Sequence, residues 1–251
     1  MKKDSWWDGN DEVLKRTADL LLQGGKTIVT PTKVGYIIAT ADRAGLERKF
    51  VLKGRSRTKP GVVLCGSIEQ VEKLAQMNEE IKRLYKACEG KDILLGCILP
   101  WQPSAMDRYI PADGSRELIM DSRNTSCFVI CFGKPSETIC RQLWEDHQRL
   151  VFASSANPSG KGNRGQLEGV GEQILNGIDT AIYADDYVAK QQPNEDASTR
   201  YEQGVMVSMV GANGQLTDVP TVIRKGLAVE KIMLEMSSIW KQFDYRQGAY
   251  Y

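Results

Sequence analysis

Hydrophobic and polar residues recur along the chain with periods that predict most of the secondary structure. Apolar positions three and four residues apart predict a helix over residues 11–22, which ends at Gly24-Gly25. An apolar, β-branched run at 27–30 predicts a buried strand stopped by Pro31. Further strands are predicted at 36–40, 62–65, 93–99, 126–132, 150–153, 205–210 and 219–224, and further helices at 43–53, 67–76, 78–88, 136–146 and 228–243. Ser67 and Asn78 are predicted to cap the helices that begin there.

Two polar stretches interrupt this pattern. Residues 100–116 and 184–203 are rich in Pro, Gly, Asp, Asn and Gln and are predicted to be loops. Loops longer than about 12–15 residues are often lids or binding segments. Farther along, Asn213-Gly214 predicts a hairpin between the last two strands.

The order of the elements predicts an α/β fold with a mixed sheet, because helices and strands do not alternate strictly. We expect one domain over residues 1–251, with the helix at about 228–243 as its last element. The apolar residues of that helix share one face, which favours packing on the core or on another subunit.

The composition is that of an ordinary globular protein. The 251 residues are 41% hydrophobic and 26% charged, and the formal net charge is +1. A net charge this small gives no general attraction for nucleic acid, so any basic site must be local. No apolar run approaches the roughly 20 residues that span a bilayer, and the first residues lack the apolar core of a signal peptide. We therefore expect a cytoplasmic protein with no membrane partner.

Cysteine and histidine usage limits the chemistry. The six cysteines form no CxxC pair, and the one histidine, His147, lies in the polar run Glu145-Asp146-His147-Gln148-Arg149. This pattern argues against a zinc site and against histidine-dependent catalysis. It favours reduced thiols that are mostly buried.

A run of cations follows the second predicted helix. Lys53, Arg55, Arg57 and Lys59 occupy alternate positions within seven residues, and Pro60 leads into the next strand. Such a run is often a solvated cluster at a helix end. Here the proline restricts the backbone before a buried strand, so fixed cations can converge on one anion. Arginine in particular matches phosphate oxygens well.

A serine-rich turn follows the predicted strand at 150–153. Its sequence, Ser154-Ser155-Ala156-Asn157-Pro158-Ser159-Gly160, offers neutral hydrogen-bonding groups in a permissive loop. The GxxxxGK[ST], GxGxxG and GxSxG spacings are absent, which argues against a P-loop, a dinucleotide site and a serine hydrolase. Polar residues at Pro31-Thr32 with Tyr36, at Ser198-Thr199 and at Arg224-Lys225-Gly226 also adjoin predicted strands. All of these segments form one site if the strand ends meet at one edge of the sheet.

The order of these segments resembles the YrdC-like family of threonylcarbamoyl-adenylate synthases. That family carries a P-T-[DE]-T-x-Y-G-L segment, a K-x-R loop, an S-A-N-x-S-G turn, an S-T pair and a late R-x-G. The resemblance covers roughly residues 10–230. The matching residues are Pro31-Thr32 with Tyr36, Lys53-Gly54-Arg55, Ser155-Ala156-Asn157-Pro158-Ser159-Gly160, Ser198-Thr199 and Arg224-Lys225-Gly226.

The resemblance implies a twisted mixed sheet flanked by helices, with a concave basic cavity. It implies synthesis of L-threonylcarbamoyl-AMP and pyrophosphate from ATP, bicarbonate and L-threonine, for threonylcarbamoyladenosine modification of tRNA. Mg²⁺ would accompany the phosphates without protein ligands, and tRNA or tRNA-modifying proteins would be partners. The resemblance assigns catalysis to Lys53 and Arg55, ATP binding to Lys59, Ser155, Asn157 and Arg224, and substrate binding to Thr32, Tyr36 and Ser198.

The chain departs from the family pattern mainly on the amino-acid side. Lys33 and Val34 replace an acidic residue and a threonine. The arginine of the family's G-V-R-x-P segment is missing near 129–132, where Arg123 or Lys134 could take its place. One alternative therefore keeps carbamoyl-adenylate chemistry with a different amino acid or carbamoyl donor. Another is a non-catalytic RNA-binding protein that uses the cavity as a basic groove.

Overall fold

The fold is given by a computed structural model that describes residues 6–54, 56–57, 60–158 and 161–248. The helices are α1 (Glu12–Leu21), α2 (Arg43–Lys53), α3 (Ile68–Leu74), α4 (Glu79–Gly90), α5 (Pro103–Tyr109), α6 (Arg116–Ile119), α7 (Lys134–His147), α8 (Glu172–Gly177), α9 (Asp185–Gln191) and α10 (Val229–Ile239). The strands are β1 (Ile28–Thr32), β2 (Gly35–Thr40), β3 (Val62–Leu64), β4 (Leu95–Pro100), β5 (Thr125–Ile130), β6 (Val151–Ser155), β7 (Thr180–Ala181), β8 (Val205–Val210), β9 (Leu216–Arg224) and β10 (Asp244–Tyr245).

Within the described residues, ten strands form one twisted sheet in the order β10-β9-β8-β4-β5-β3-β6-β2-β1-β7. The pairs β1–β7, β3–β5, β4–β8 and β9–β10 are parallel. The pairs β1–β2, β2–β6, β3–β6, β4–β5 and β8–β9 are antiparallel. The predicted α/β fold with a mixed sheet is confirmed.

Central strands send alternate side chains to opposite faces of the sheet. In β5, Phe128 and Ile130 join the hydrophobic cluster that includes α3, α4 and α10. Cys127 and Val129 join the cluster formed with α1 and α7. A third cluster forms where α8 and α9 cover β1 and β2. Helices therefore flank both faces of the sheet.

Side-chain caps fix the beginnings of several helices. Ser67 Oγ accepts the N–H of Gln70 at 3.2 Å, and Asn78 Oδ1 accepts the N–H of Ile81 at 2.9 Å. Asp42 caps α2 in the same way. These bonds satisfy first-turn N–H groups that have no partner inside the helix. The caps predicted at Ser67 and Asn78 are confirmed.

Strand β1 continues to Thr32, so the prediction that Pro31 stops it is wrong. Pro31 lies opposite Tyr36 in the antiparallel pair. The N–H of Tyr36 donates to Asn163 Oδ1 at 3.2 Å, and its carbonyl accepts the N–H of Ala156 at 2.7 Å. Because both backbone groups of Tyr36 bond residues on the side away from Pro31, the β1–β2 pair has no hydrogen bond at this position. The lack of an N–H in Pro31 therefore costs the sheet no hydrogen bond to β2.

Both predicted loops contain a short helix, so these predictions are wrong in part. Helix α5 lies within 100–116 and α9 within 184–203, and each has seven residues. Pro103 opens α5 at a position where a helix needs no N–H. Asp185 and Asp186 lie in the first turn of α9, where negative charge is favourable. Seven residues are too few to establish a helical period among polar side chains.

The last predicted helix ends earlier than expected. Helix α10 ends at Ile239, because Trp240 takes an extended conformation (φ −108°, ψ 138°) and β10 then pairs with β9. Val229, Ile232 and Met236 are buried in the core, as predicted. Among the helices of the described residues, none is long and apolar enough to cross a bilayer.

Candidate active site

A cavity of about 160 Å³ lies at one end of the sheet. It forms where β2, β3, β4 and β8 begin and where β1, β5, β6 and β9 end. Antiparallel pairing produces this arrangement, because it brings the beginning of one strand beside the end of its neighbour. The lining residues are Thr32, Val34, Tyr36, Ile37, Pro60, Gly61, Val62, Leu64, Leu94, Gly96, Val129, Phe132, Ala153, Ser154, Ser155, Glu202, Gln203, Gly204, Val205 and Arg224.

Two glycines among the lining residues allow close packing around the hollow. A Cβ on Gly61 would lie 2.5 Å from Lys49 Nζ and 2.8 Å from the carbonyl oxygen of Ala153. A Cβ on Gly96 would lie 2.9 Å from Cys127 Sγ. All three distances are too short for a real Cβ, so the neighbouring groups approach this closely only because glycine has no Cβ.

Lys53 reaches the cavity wall from the last turn of α2. Its side chain is buried, and Nζ donates to the carbonyl oxygen of Ser155 and, at 3.2 Å, to Ser155 Oγ. Ser155 ends β6 and lines the cavity. Gly54 ends α2 in the left-handed conformation, which turns the chain directly after Lys53. The ammonium group is therefore fixed at the end of β6.

Arg224 lines the cavity at the end of β9. Its Nε donates to the carbonyl oxygen of Gly204 at 3.0 Å, which holds the guanidinium beside the start of β8. Arg224 is the cation among the described lining residues, and Glu202 is the carboxylate. Ser155 and Arg224, from separate sequence segments, thus line one cavity, and Lys53 is held beside it through its hydrogen bonds to Ser155.

Two predicted site residues, Arg55 and Lys59, lie outside the described residues. Arg57 is described, and its guanidinium pairs with Glu47 at 2.5 Å on the surface of α2. The basic character expected for the cavity rests largely on Arg55 and Lys59 and stays a prediction.

Thr32 and Tyr36 both line the cavity, but the hydroxyl group of each donates a hydrogen bond to another group of the protein. Thr32 Oγ1 donates to the carbonyl oxygen of Gly35 at 2.7 Å and so closes the β1–β2 turn. Tyr36 packs in the third hydrophobic cluster, and its Oη donates to Asp185 at 2.5 Å. Burial raises the pKa of Tyr36, and the hydrogen bond to Asp185 raises it further. The phenol therefore holds the start of α9.

Asn157 and Ser198 do not belong to the described residues that line the cavity. The amide of Asn157 donates to the carbonyl oxygens of Pro158 and Lys161 and shapes the loop after β6. Ser198 is exposed, and its Oγ donates to Asp196 at 2.6 Å. The structure thus brings neither side chain to the cavity, and the residues at the start of β8 that line it are Gly204 and Val205.

Asn163 is a positioning residue that the sequence analysis missed. Its Oδ1 accepts the N–H groups of Tyr36 and Gly165, at 3.2 and 3.1 Å. Its Nδ2 donates to the carbonyl oxygens of Tyr36 and Ala156, at 2.9 and 3.1 Å. The buried amide thereby attaches the loop after β6 to the start of β2. The only signal in the sequence is an asparagine in a glycine-rich loop, which does not distinguish this role from an ordinary turn.

Glu202 is a second residue that the sequence analysis missed. It lines the cavity, and its Oε1 accepts the N–H of Arg164 at 2.5 Å. Arg164 also donates to the carbonyl oxygen of Ser198 at 3.1 Å. These bonds join the loop after β6 to the segment that enters β8, so both segments border the cavity in a fixed relation.

Lys33 is a buried residue of the β1–β2 turn. Its Nζ pairs with Asp92 Oδ1 at 2.5 Å and donates to the Asp92 carbonyl oxygen at 2.6 Å. Arg123 is bound to Asp121 at 2.6 Å, and Lys134 is 3.6 Å from Asp11. Neither Arg123 nor Lys134 belongs to the described residues that line the cavity, so neither replaces the missing arginine there.

The thiols do not supply a nucleophile. Five of the six cysteines are buried and free, as predicted, and Cys131 is half-buried. Cys127 packs beneath the cavity; burial raises its pKa to about 12, although the nearby Arg224 charge acts in the opposite direction. His147 is exposed at the end of α7. Within the described residues, no group of three or more His, Cys, Asp and Glu side chains is arranged to hold a metal ion.

The mixed sheet, with a cavity where its polar strand ends meet, has the same fold as the solved structures of Sua5 and YciO. The chain belongs to the Sua5/YciO/YrdC family, whose sequence model, described as "Telomere recombination", matches residues 20–195. No curated protein matches the sequence.

Solved structures share the fold. The hypothetical protein smu.1377c from Streptococcus mutans UA159 is 49% identical, with a TM-score of 0.91 and 97% of each chain covered. P. abyssi Sua5 complexed with L-threonine is 20% identical with a TM-score of 0.67, and the match covers 95% of this chain and 61% of that one. E. coli YciO is 15% identical with a TM-score of 0.66, and the match covers 89% and 93%.

Proposed function

We propose that this protein uses ATP to convert an amino-acid carbamate into a carbamoyl-adenylate. In the form implied by the family, L-threonine, bicarbonate and ATP give L-threonylcarbamoyl-AMP and pyrophosphate for tRNA modification. Family membership supports the reaction class, and the likeness to P. abyssi Sua5 complexed with L-threonine supports an amino-acid substrate. The observation that carries the proposal is that Ser155 and Arg224 line one cavity and that the buried ammonium group of Lys53 binds Ser155 at its wall.

The reaction has two steps that such a site can assist. The amine nitrogen first bonds to the carbon of bicarbonate, water leaves, and a carbamate forms. A carbamate oxygen then bonds to the α-phosphorus of ATP, and the bond to the bridging oxygen breaks as pyrophosphate leaves. Both reactants are anions, so the protein must hold them together and stabilise the charge that builds during attack.

The described side chains suit these tasks. Lys53 is fixed at the end of β6, where its ammonium can neutralise phosphate or carbamate oxygens. Arg224 extends from the opposite side of the cavity and can hold a second anionic group. Arg55 and Lys59 would add charge from the loop after α2, and Asn157 would maintain the loop that faces the nucleotide. Mg²⁺ would arrive with ATP, held by phosphate oxygens and water. We propose that the reaction takes place in the cytoplasm.

Pyrophosphate release tests the proposal. Release should require ATP, bicarbonate and an amino acid together. Lys53→Ala should lower the rate about 10²–10³-fold, as expected when one positioned donor to developing charge is removed. Lys86→Ala is the control, because Lys86 is exposed on α4, and it should retain the wild-type rate. Absence of release with every amino acid, or a wild-type rate for Lys53→Ala, contradicts the proposal.

A second candidate keeps the adenylation chemistry but changes the acceptor. It is favoured by the amino-acid side of the cavity, where Ser198 is absent from the lining and the hydroxyls of Thr32 and Tyr36 are bound elsewhere. A panel of amino acids, with carbamoyl phosphate as an alternative carbamoyl donor, separates the two candidates. A strict requirement for L-threonine and bicarbonate removes the second.

A further inference from the structure

We propose that the acceptor is an amino acid with a branched aliphatic side chain, of the valine type, and that an apolar wall of the cavity selects it. This inference rests on the proposed function, because it names the substrate class of the same site.

The apolar wall consists of Val34, Ile37 and Val62. All three line the cavity and are half-buried, so each keeps apolar surface that no protein group covers. All three pack against the same hydrophobic cluster, which places them on one face of the sheet. Ile37 lies opposite Ser155 and Val62 opposite Ala153, on the two strands that flank β6.

Buried apolar residues continue this wall. Leu64, Leu94, Val129 and Phe132 line the cavity and belong to the same cluster. Covering the half-buried side chains with an apolar group releases water from both surfaces, which is favourable. The wall therefore favours a ligand group of hydrocarbon.

Most polar side chains of the described lining already have partners. Thr32 Oγ1 donates to Gly35, and Tyr36 Oη donates to Asp185 on the opposite face of the sheet. Ser155 Oγ is bound by Lys53. The remaining polar pairs are Glu202 with Arg164 and Gln203 with the carbonyl oxygen of Lys225.

Ser154 does not change this conclusion, although no hydrogen-bond partner satisfies its buried Oγ within the described residues. Side chains alternate along β6, so Ser154 lies on the face opposite Ala153 and Ser155. Its hydroxyl therefore points away from the apolar wall. Among the described residues of the apolar wall, a hydroxyl on the acceptor would therefore find no side-chain partner.

Arg224 supplies the complementary polar contact. Among the described residues its hydrogen bond is the one from Nε to Gly204, so its two terminal nitrogens can receive the carboxylate of an amino acid. The site thus combines a guanidinium for the head group with hydrocarbon for the side chain. Valine and threonine have the same shape and differ by a methyl and a hydroxyl, so they isolate the contribution of the wall.

The test compares L-valine with L-threonine in pyrophosphate release at saturating ATP and bicarbonate. We expect kcat/KM for L-valine to exceed that for L-threonine by about 10- to 100-fold, the range by which apolar pockets discriminate such isosteres. Equal values, or a larger value for L-threonine, overturn this inference while leaving the proposed function intact. Absence of release with every amino acid overturns the proposed function and this inference with it.

A substitution in the apolar wall tests whether the wall itself sets the preference between valine and threonine. Val62→Thr has nearly the same shape and should lower the valine-to-threonine ratio of kcat/KM at least about 5-fold, because a hydroxyl in the wall can pair with the one on threonine. Val219→Thr makes the same change at a half-buried position of β9 away from the cavity and should leave the ratio unchanged. A ratio reports selectivity even if a variant loses total activity. An unchanged ratio in Val62→Thr contradicts the assignment of the wall.

Discussion

Removing the side chain of Asn163 should destabilise the protein far more than an average asparagine substitution. Its buried amide makes four hydrogen bonds to three backbone segments. In Asn163→Ala the N–H groups of Tyr36 and Gly165 lose their acceptor. An orphaned buried group costs about 1–3 kcal/mol, so two should cost about 2–6 kcal/mol. The carbonyl of Tyr36 keeps its bond from Ala156 and adds little.

Asn163→Asp makes the prediction sharper, because the shape is kept. The oxygen that accepts two N–H groups remains, but the Nδ2 that donates to two carbonyl oxygens becomes an acceptor that faces them. Two hydrogen bonds become repulsive contacts around a buried carboxyl group. We expect a loss of at least about 3 kcal/mol at neutral pH, where the carboxyl would also carry charge.

Urea denaturation followed by circular dichroism measures both losses as changes in the free energy of unfolding. Asn78→Ala is the matched control, because it removes one partly buried helix-cap hydrogen bond and should cost about 1 kcal/mol. If Asn163→Ala costs no more than Asn78→Ala, the amide does not hold the loop after β6, and the reasoning is refuted.

Two further predictions concern ion pairs. The side chain of Lys33 is 6% exposed, whereas that of Asp92 is 75% exposed. Asp92→Asn leaves a buried ammonium group without its counter-charge and should lower the free energy of unfolding by about 2 kcal/mol in urea denaturation. Lys33→Met leaves only a solvated carboxylate and should lower it by less than about 1 kcal/mol. The reverse order would contradict this. Burial acts to raise the pKa of Asp179, but the Thr27 N–H, Lys26 and Arg48 outweigh it and hold the pKa below its ordinary 3.8. The stabilisation that ionised Asp179 gives the folded protein is therefore complete above pH 3.8 and is lost as the pH falls through the lower pKa of the folded state. The difference in Tm between wild type and Asp179→Asn should thus shrink below about pH 4. A constant difference down to pH 2 would contradict the assignment.

Local signals in the sequence predicted the elements well where one physical cause acts over a few residues. Ser67 and Asn78 form the predicted caps because the cap bond spans three residues. The Asn213-Gly214 turn joins β8 and β9 for the same reason. Pro31 shows where local reasoning fails: a proline interrupts a strand only where the missing N–H would have faced a neighbouring strand, and that depends on the register with β2.

The candidate site was predictable where polar residues end strands and less so where its residues lie in loops or act through distant contacts. Ser155 and Arg224 were found because polar residues at strand ends converge when the sheet forms. Tyr36 was assigned to the substrate, but strand alternation sends its phenol to the other face. Ser198 lies before the segment that enters β8, and a polar loop carries no periodicity that would fix its distance from the strand. Glu202 and Asn163 act through contacts distant in sequence, which a single sequence does not reveal.

The most direct test of the central claim is a mass spectrum of the nucleotide product formed from ATP, an amino acid and carbon-13 bicarbonate. The account predicts an adenylate whose mass contains AMP, the amino acid and one labelled carbonyl, formed together with pyrophosphate and absent from the Lys53→Ala reaction. An adenylate without the label, or the release of ADP and phosphate alone, would contradict the proposal that this cavity joins a carbamate to the α-phosphorus of ATP.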